Sequence, residues 1–256
     1  MRIQASAAIV TGAASGLGLA TARMLVEQGA RVALLDIDAA QVAQAAAGLG
    51  AERAIGLPCD VADAASAEQA AAQAVAAHGA PRILVNCAGI AAGKRIVGRD
   101  GPMPLDEFER VIRVNLVGSF NLLRLAAAAM TRLEPDAEGE RGAIVNTASV
   151  AAFDGQIGQA AYAASKGGIA ALTLPAAREL ARHGIRVVTI APGIFETPML
   201  RGLPADVQRS LGESVPFPKR LGRPDEYAAL VHQILENPML NGETIRLDGA
   251  LRMAPQ

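Results

Sequence analysis

Short apolar runs alternate with longer stretches of helical periodicity from one end of the chain to the other. Residues 7–10 read as a first strand, and 16–28 as a helix that Gly29 closes. Residues 32–35 and 54–57 are the next two strands. They are followed by a helix over 66–78 for which Ser66 is the expected N-cap. Residues 83–85 form a fourth strand, 105–130 a long helix and 143–147 a fifth strand. The helix expected over 162–183 contains Pro175. It should kink there and continue, because apolar periodicity resumes at Ala176, Ala177 and Leu180. A strand over 186–191, a helix over 224–236 and a strand over 244–247 complete the set. The strands are apolar almost throughout rather than alternating, which fits a parallel sheet covered on both faces. The pattern predicts an α/β fold: a doubly wound, Rossmann-type parallel sheet of seven strands in one domain over residues 1–256. The least regular stretches are 91–104, 134–142 and 194–217.

Composition narrows the function classes. With 51% apolar residues and a mean hydropathy of +0.26, the chain can bury a core, and disorder is excluded. A net charge of -1 without a basic block gives no electrostatic ground for a nucleic-acid partner. No apolar run approaches the roughly 18–20 residues of a membrane span, so no membrane partner is expected. The first strand begins almost at once, leaving no room for a leader, and Cys59 and Cys87 form no CxxC. Reduced thiols and a cytoplasmic location are the expectation. His78, His183 and His232 are scattered, so no metal site is expected. Tyr227 reads as a packing residue, and Asp248-Gly249 as a turn.

Several stretches along one edge of the expected sheet carry chemistry. Thr11-Gly12-Ala13-Ala14-Ser15-Gly16-Leu17-Gly18 follows a strand and opens a helix. Such glycines let the backbone turn tightly and approach a pyrophosphate lying on the positive helix N-terminus. Asp36 ends the second strand, where a carboxylate accepts from ribose hydroxyls and repels a 2'-phosphate. Ile37 and Asp38 follow it, so no adjacent arginine offers a counter-charge, and the expected cofactor is NAD. Asp60-Val61 and Asn86-Cys87-Ala88-Gly89 end the next two strands on the same edge, Asp60 and Val61 as adenine contacts. Pro192-Gly193 ends the sixth strand, and the Thr197 hydroxyl beyond it can reach a nicotinamide carboxamide. Finally, Tyr162 and Lys166 are one helical turn apart, with Ser149 thirteen residues before Tyr162 at a strand exit. A lysine cation there is expected to lower the phenol from about 10 and make it a proton carrier, with Ser149 bonding the same substrate oxygen.

In order and separation, T-G-x-x-x-G-x-G, N-x-A-G, the helical Asn115, Ser149, Y-x-x-x-K and P-G resemble the short-chain dehydrogenase/reductase family over nearly the whole chain. The resemblance implies a catalytic set of Asn115, Ser149, Tyr162 and Lys166. In it Lys166 also binds the nicotinamide ribose, and Asn115 holds a water that links Lys166 to solvent. It further implies NAD contacts at Ser15, Leu17, Asp36, Asp60, Val61, Cys87, Tyr162, Lys166, Phe195 and Thr197. Cys87 departs from the second Asn of many members. The likeness is closer to a member that oxidises (S)-3-hydroxyacyl-CoA, through segments such as 146–153, 155–168, 190–198 and 236–253.

The implied activity is oxidation of an (S)-3-hydroxyacyl-CoA, with 2-methyl-branched chains in range. In it Tyr162 takes the hydroxyl proton and NAD the hydride. Gln156 and Gln159 are expected against the acyl part. Lys94, Arg95 and Arg99 are expected to meet the CoA phosphates. Segment 194–217 is expected as a substrate lid with hinges at Gly193, Gly202 and Gly212 and apolar cover from Phe195, Met199, Leu200, Leu203 and Phe217. A homotetramer follows from the family alone, with the helices from Leu105 and Tyr162 at one interface. Other readings are a 3-oxoacyl thioester reductase using NADPH, a hydroxysteroid or alcohol dehydrogenase, and a non-catalytic protein- or RNA-binding scaffold.

Overall fold

Seven strands form one parallel sheet in a computed structural model that describes residues 1–202 and 204–255. They are β1 (Ala7–Thr11), β2 (Arg31–Asp36), β3 (Ala54–Pro58), β4 (Ile83–Asn86), β5 (Gly142–Thr147), β6 (Ile185–Pro192) and β7 (Thr244–Leu247). Their order is β3-β2-β1-β4-β5-β6-β7, so the winding reverses between β1 and β4. Thr11 pairs with Asn86 at that reversal, and Asn86 with Asn146. Ligand crevices open beyond the carboxyl ends of strands at such a point.

The period of two along each strand splits the core into two layers. Val10, Leu34, Val85 and Val145 face one side, where they pack with Leu25 of α1 (Gly16–Glu27) and Val231 of α9 (Pro224–Glu236). Ile9, Leu35, Leu84 and Ile144 face the other, against α3 (Ala64–His78) and α5 (Gly118–Met130). Each of these aliphatic side chains stabilises the fold by about 1.5–3 kcal/mol through burial.

Three expectations change in detail. A helix not anticipated, α2 (Ala39–Leu49), links β2 to β3. It is capped by Asp38, which accepts from Ala40 N at 3.1 Å and Gln41 N at 2.9 Å. Asp63 rather than Ser66 caps α3. The Asp63 carboxylate accepts from Ser66 N at 2.7 Å, and the Ser66 hydroxyl turns back to accept from Asp60 N at 3.0 Å. A carboxylate three residues upstream competes successfully for the helix N–H groups, so the helix starts earlier.

The long helix is also interrupted. α4 (Leu105–Ile112) passes through a π-helical turn, Arg113–Val117, into α5. The stretch Leu105–Met130 is, by length and composition, long and apolar enough to cross a membrane, contrary to the run-length expectation. Half of its most apolar window is buried inside the protein. α6 (Ala160–Ala181) begins two residues before Tyr162 and runs through Pro175 without ending, as expected. α7 (Pro198–Arg201) and α8 (Ala205–Glu213) occupy the irregular segment after β6.

Candidate active site

The carboxyl ends of β1, β2, β4, β5 and β6 border one cleft of about 710 Å³. At β1 the chain turns through Gly12 (φ +61°) and Gly16 (φ +55°). A Cβ on Gly12 would stand 2.7 Å from Ala88 N, so only hydrogen fits where the two strand ends meet. Thr11 Oγ1 ties those ends together by accepting from Cys87 N and Ala88 N, both at 3.1 Å. Ser15 caps α1 through its backbone alone, leaving the helix's first N–H groups without a side-chain partner at the cleft. Gly12→Ala should therefore cost about 1–3 kcal/mol through left-handed strain and backbone overlap, read as a lower melting temperature.

At the next strand end Asp36 is fixed by two backbone donors, Ala14 N at 3.1 Å and Asp38 N at 3.3 Å. Asp60 and Val61 line the same side, and Val61 packs where Gly118 leaves room for it. Cys87, Ala88, Gly89, Pro192, Phe195 and Thr197 also line the cleft. Gly193 is expected as a hinge, but a Cβ there would come within 2.9 Å of Asp248 Cβ; close packing is what requires glycine.

Ser149, Tyr162 and Lys166 converge at the other end. Ser149 leaves β5 and accepts from Ala151 N at 3.1 Å, and its hydroxyl faces the Tyr162 phenol closely enough to favour the ionised form. Lys166 is buried and donates to Thr147 O at 2.7 Å, with its Nζ 5.8 Å from the Tyr162 ring centroid. The lysine does not dominate the phenol as expected. Burial raises the Tyr162 pKa from its ordinary value, and the Ser149 hydrogen bond opposes that rise. Burial also pulls Lys166 itself down to about 8. The ammonium directs one of its three N–H donors at Thr147 O.

Asn115 is fully buried behind this group and does not line the cleft. The π-helical turn brings it against the loop after β4. It accepts from Ile90 N at 2.8 Å, donates to Ile90 O at 2.9 Å, and also donates to Ser165 Oγ at 3.0 Å. Tyr227 is more than packing. Its hydroxyl lies 2.7 Å from Thr147 Oγ1 and 3.7 Å from Cys87 Sγ. Burial pushes the Cys87 thiol up, so it is not a nucleophile at neutral pH.

The substrate-side residues separate. Gln159 lines the cleft, whereas Gln156 lies in an adjoining groove and donates to Ala254 O at 3.0 Å. Phe195 and Leu200 border the cleft, but Phe217 is 82% exposed and does not line it. Leu203 and the Met199 side chain lie outside the described residues. Lys94 is paired to Glu107 at 2.5 Å, and Arg95 lines the adjoining groove. Met253, near the C-terminus, lines the cleft. No motif marked it as a site residue; only the folded tail reveals it. Among the described residues no group of three His, Cys, Asp or Glu side chains could hold a metal ion.

A family model described as short chain dehydrogenase matches residues 6–208. The chain is 53% identical over 250 residues to 3-hydroxyacyl-CoA dehydrogenase type-2 of Homo sapiens, covering 97% of this chain and 95% of that protein. The crystal structure of 3-hydroxyacyl-CoA dehydrogenase type-2 from Mycobacterium avium matches with a TM-score of 0.93 at 43% identity, covering 98% of this chain and 97% of that one. A 3-ketoacyl-(acyl-carrier-protein) reductase from Brucella melitensis, complexed with NADH, matches at 0.87 with 28% identity, over 98% and 100% of the two chains. Matched in sequence and in fold along nearly its whole length, the protein belongs to the short-chain dehydrogenase family.

Proposed function

We propose that this protein is an NAD-dependent dehydrogenase that oxidises (S)-3-hydroxyacyl-CoA thioesters to 3-oxoacyl-CoA. The observation that carries the reading is the convergence of Ser149, Tyr162 and Lys166 at one end of a cleft whose other end is set by the Asp36 carboxylate. The relatives named above supply the acyl-CoA class.

The residues present fit a dinucleotide. The tight turn through Gly12 and Gly16, with Gly18 packed against Gly12 O, leaves the open N–H groups of α1 at the cleft, where a pyrophosphate would sit. Asp36 would accept from the adenine-side ribose. Asp60, Val61, Cys87, Ala88 and Gly89 would flank the adenine half, and Pro192, Phe195 and Thr197 the nicotinamide half. When bound, NAD supplies the hydride acceptor. Asp36→Ala should weaken NAD by about tenfold in KM, roughly 1.4 kcal/mol, and improve NADP in kcat/KM, because the fixed anion facing a 2'-phosphate is gone.

In the oxidative direction Tyr162 Oη takes the substrate hydroxyl proton while Ser149 Oγ holds the substrate oxygen. In the reverse direction the protonated phenol, which burial favours, is the acid. Lys166 places positive charge beneath this pair and would hold the nicotinamide ribose. Asn115 holds the Ile90 loop beside Lys166, a position that suits a water leading from Lys166 to solvent. Gln159 would meet the acyl part. Arg95, in the groove that Gln159 also borders, is the better placed of the three cations for a CoA phosphate, since Lys94 is engaged by Glu107.

The reading extends to a homotetramer in the cytoplasm. Val117 and Phe120, 45% and 47% exposed on the long helix, offer an apolar face to a second copy, and both thiols are free. Light scattering reads the assembly directly. Coenzyme reduction on a panel of 3-hydroxyacyl-CoA thioesters, free secondary alcohols and hydroxysteroids tests the substrate. Turnover confined to the alcohols or steroids would remove the CoA reading while leaving the dehydrogenase chemistry intact.

A further inference from the structure

Met253 reaches the cleft only because the segment that carries it is strapped down. The Asp154 carboxylate receives Arg246 Nη1 at 3.2 Å and Arg246 Nη2 on its second oxygen. The Asp154 carboxyl is held below its ordinary value by Arg246 first, with the Met253 backbone N–H also facing it. Arg246 Nη2 also donates to Leu251 O at 2.9 Å, and Arg246 Nε to Asp248 Oδ2 at 2.7 Å. Two further bonds follow along the tail: Gln156 Nε2 to Ala254 O at 3.0 Å, and Ile157 N to Pro255 O at 2.9 Å. Residues 251–255 are thus fastened onto residues 154–157, which lie between Ser149 and Tyr162. Gln156, expected to touch substrate, instead holds the tail.

An unbranched thioether adapts its shape to what it faces. Gln159 and Leu200 line the same cleft.

We propose that Met253 is a specificity-determining wall of the acyl site, and that Asp154, Arg246 and Gln156 are positioning residues that hold it there. The inference rests on the proposed function only for the identity of the chain that meets the wall. Met253→Ala enlarges the site and Met253→Phe reduces it, so the two should move chain-length preference in opposite directions. The kcat/KM for long relative to short chains should rise about tenfold in Met253→Ala and fall by a similar factor in Met253→Phe. Asp154→Asn, which loosens the strap, should follow Met253→Ala, with the KM for NAD within about twofold of wild type throughout.

The series is run both as 3-hydroxyacyl-CoA thioesters and as free secondary alcohols of graded length. Wild-type turnover of the alcohols alone would remove the acyl-CoA reading, and length preference in that series would still test Met253. Equal changes at every length, or changes of the same sign in Met253→Ala and Met253→Phe, would overturn the wall.

Discussion

Tyr162→Phe lowers kcat for alcohol oxidation by about 10³-fold, roughly 4 kcal/mol of transition-state stabilisation, while the fold and NAD affinity persist. The ring keeps its place because phenylalanine fills the same half-buried volume and Lys166 remains bonded to Thr147 O. What disappears is the one phenol in the cleft and the partner of the Ser149 hydroxyl. The remaining groups do not replace it. Ser149 has a much higher intrinsic pKa, and Cys87 is held up by burial. Burial raises the Tyr162 phenol above its ordinary value, so wild-type oxidation should accelerate as pH climbs into the alkaline range, and reduction should be favoured at lower pH. The variant should lose that slope. Steady-state rates across pH, beside a thermal melt and an NAD titration, separate the outcomes. A loss of less than tenfold would mean that another group carries the proton.

Lys166→Met abolishes turnover, yet it relieves the folded protein of a buried charge. Lys166 titrates near 8 in the folded protein against 10.5 for the free side chain, and desolvation is the main cause. Below pH 8 both folded and unfolded states carry the charge, and the folded state bears the full burial cost. Between about 8 and 10.5 the folded lysine is neutral while the unfolded one still binds a proton. Wild-type stability therefore rises with pH through that window. Methionine has no such dependence. The stability of wild type relative to Lys166→Met should improve by ~3 kcal/mol between pH 7 and 10.5, whatever the lost hydrogen bond to Thr147 O costs. Denaturant titrations at the two pH values measure it. A constant difference would mean that Lys166 is not desolvated as the fold places it. The chain carries a lysine where stability alone would favour an apolar residue, as expected of a functional group.

Whether a feature could be read from the sequence depended on what kind of signal it left there. Strands covered on both faces appear as apolar runs, and the glycine turn and Y-x-x-x-K are fixed by local geometry; these were legible almost residue by residue. α2 was not, because Ala39–Leu49 is alanine-rich with apolar residues on every side, which leaves no periodic contrast. The α3 cap lies with Asp63, three residues before the expected Ser66, because the Ser66 hydroxyl is engaged by Asp60 N in the fold. The π-helical turn at Asn115 is a tertiary effect. A mid-helix asparagine pointed to something unusual, but the bonds to Ile90 that hold it come from β4's loop. The phenol's environment is not legible in the spacing, which puts Lys166 near Tyr162 without showing that its amine turns to Thr147 O. The places of Met253 and Gln156 depend on a tail folding back across about a hundred residues, and local pattern does not encode that.

This cleft removes hydrogen from the 3-carbon of a 3-hydroxyacyl-CoA, with Tyr162 as the proton carrier. The most direct measurement supplies a 3-hydroxyacyl-CoA deuterated at that carbon, together with NAD, and follows the label by mass spectrometry. Deuterium should appear in the reduced coenzyme with no loss to solvent, and Tyr162→Phe should slow the transfer without redirecting it. Label released to water, or none transferred from the thioester under conditions where a free alcohol donates it, would contradict the account.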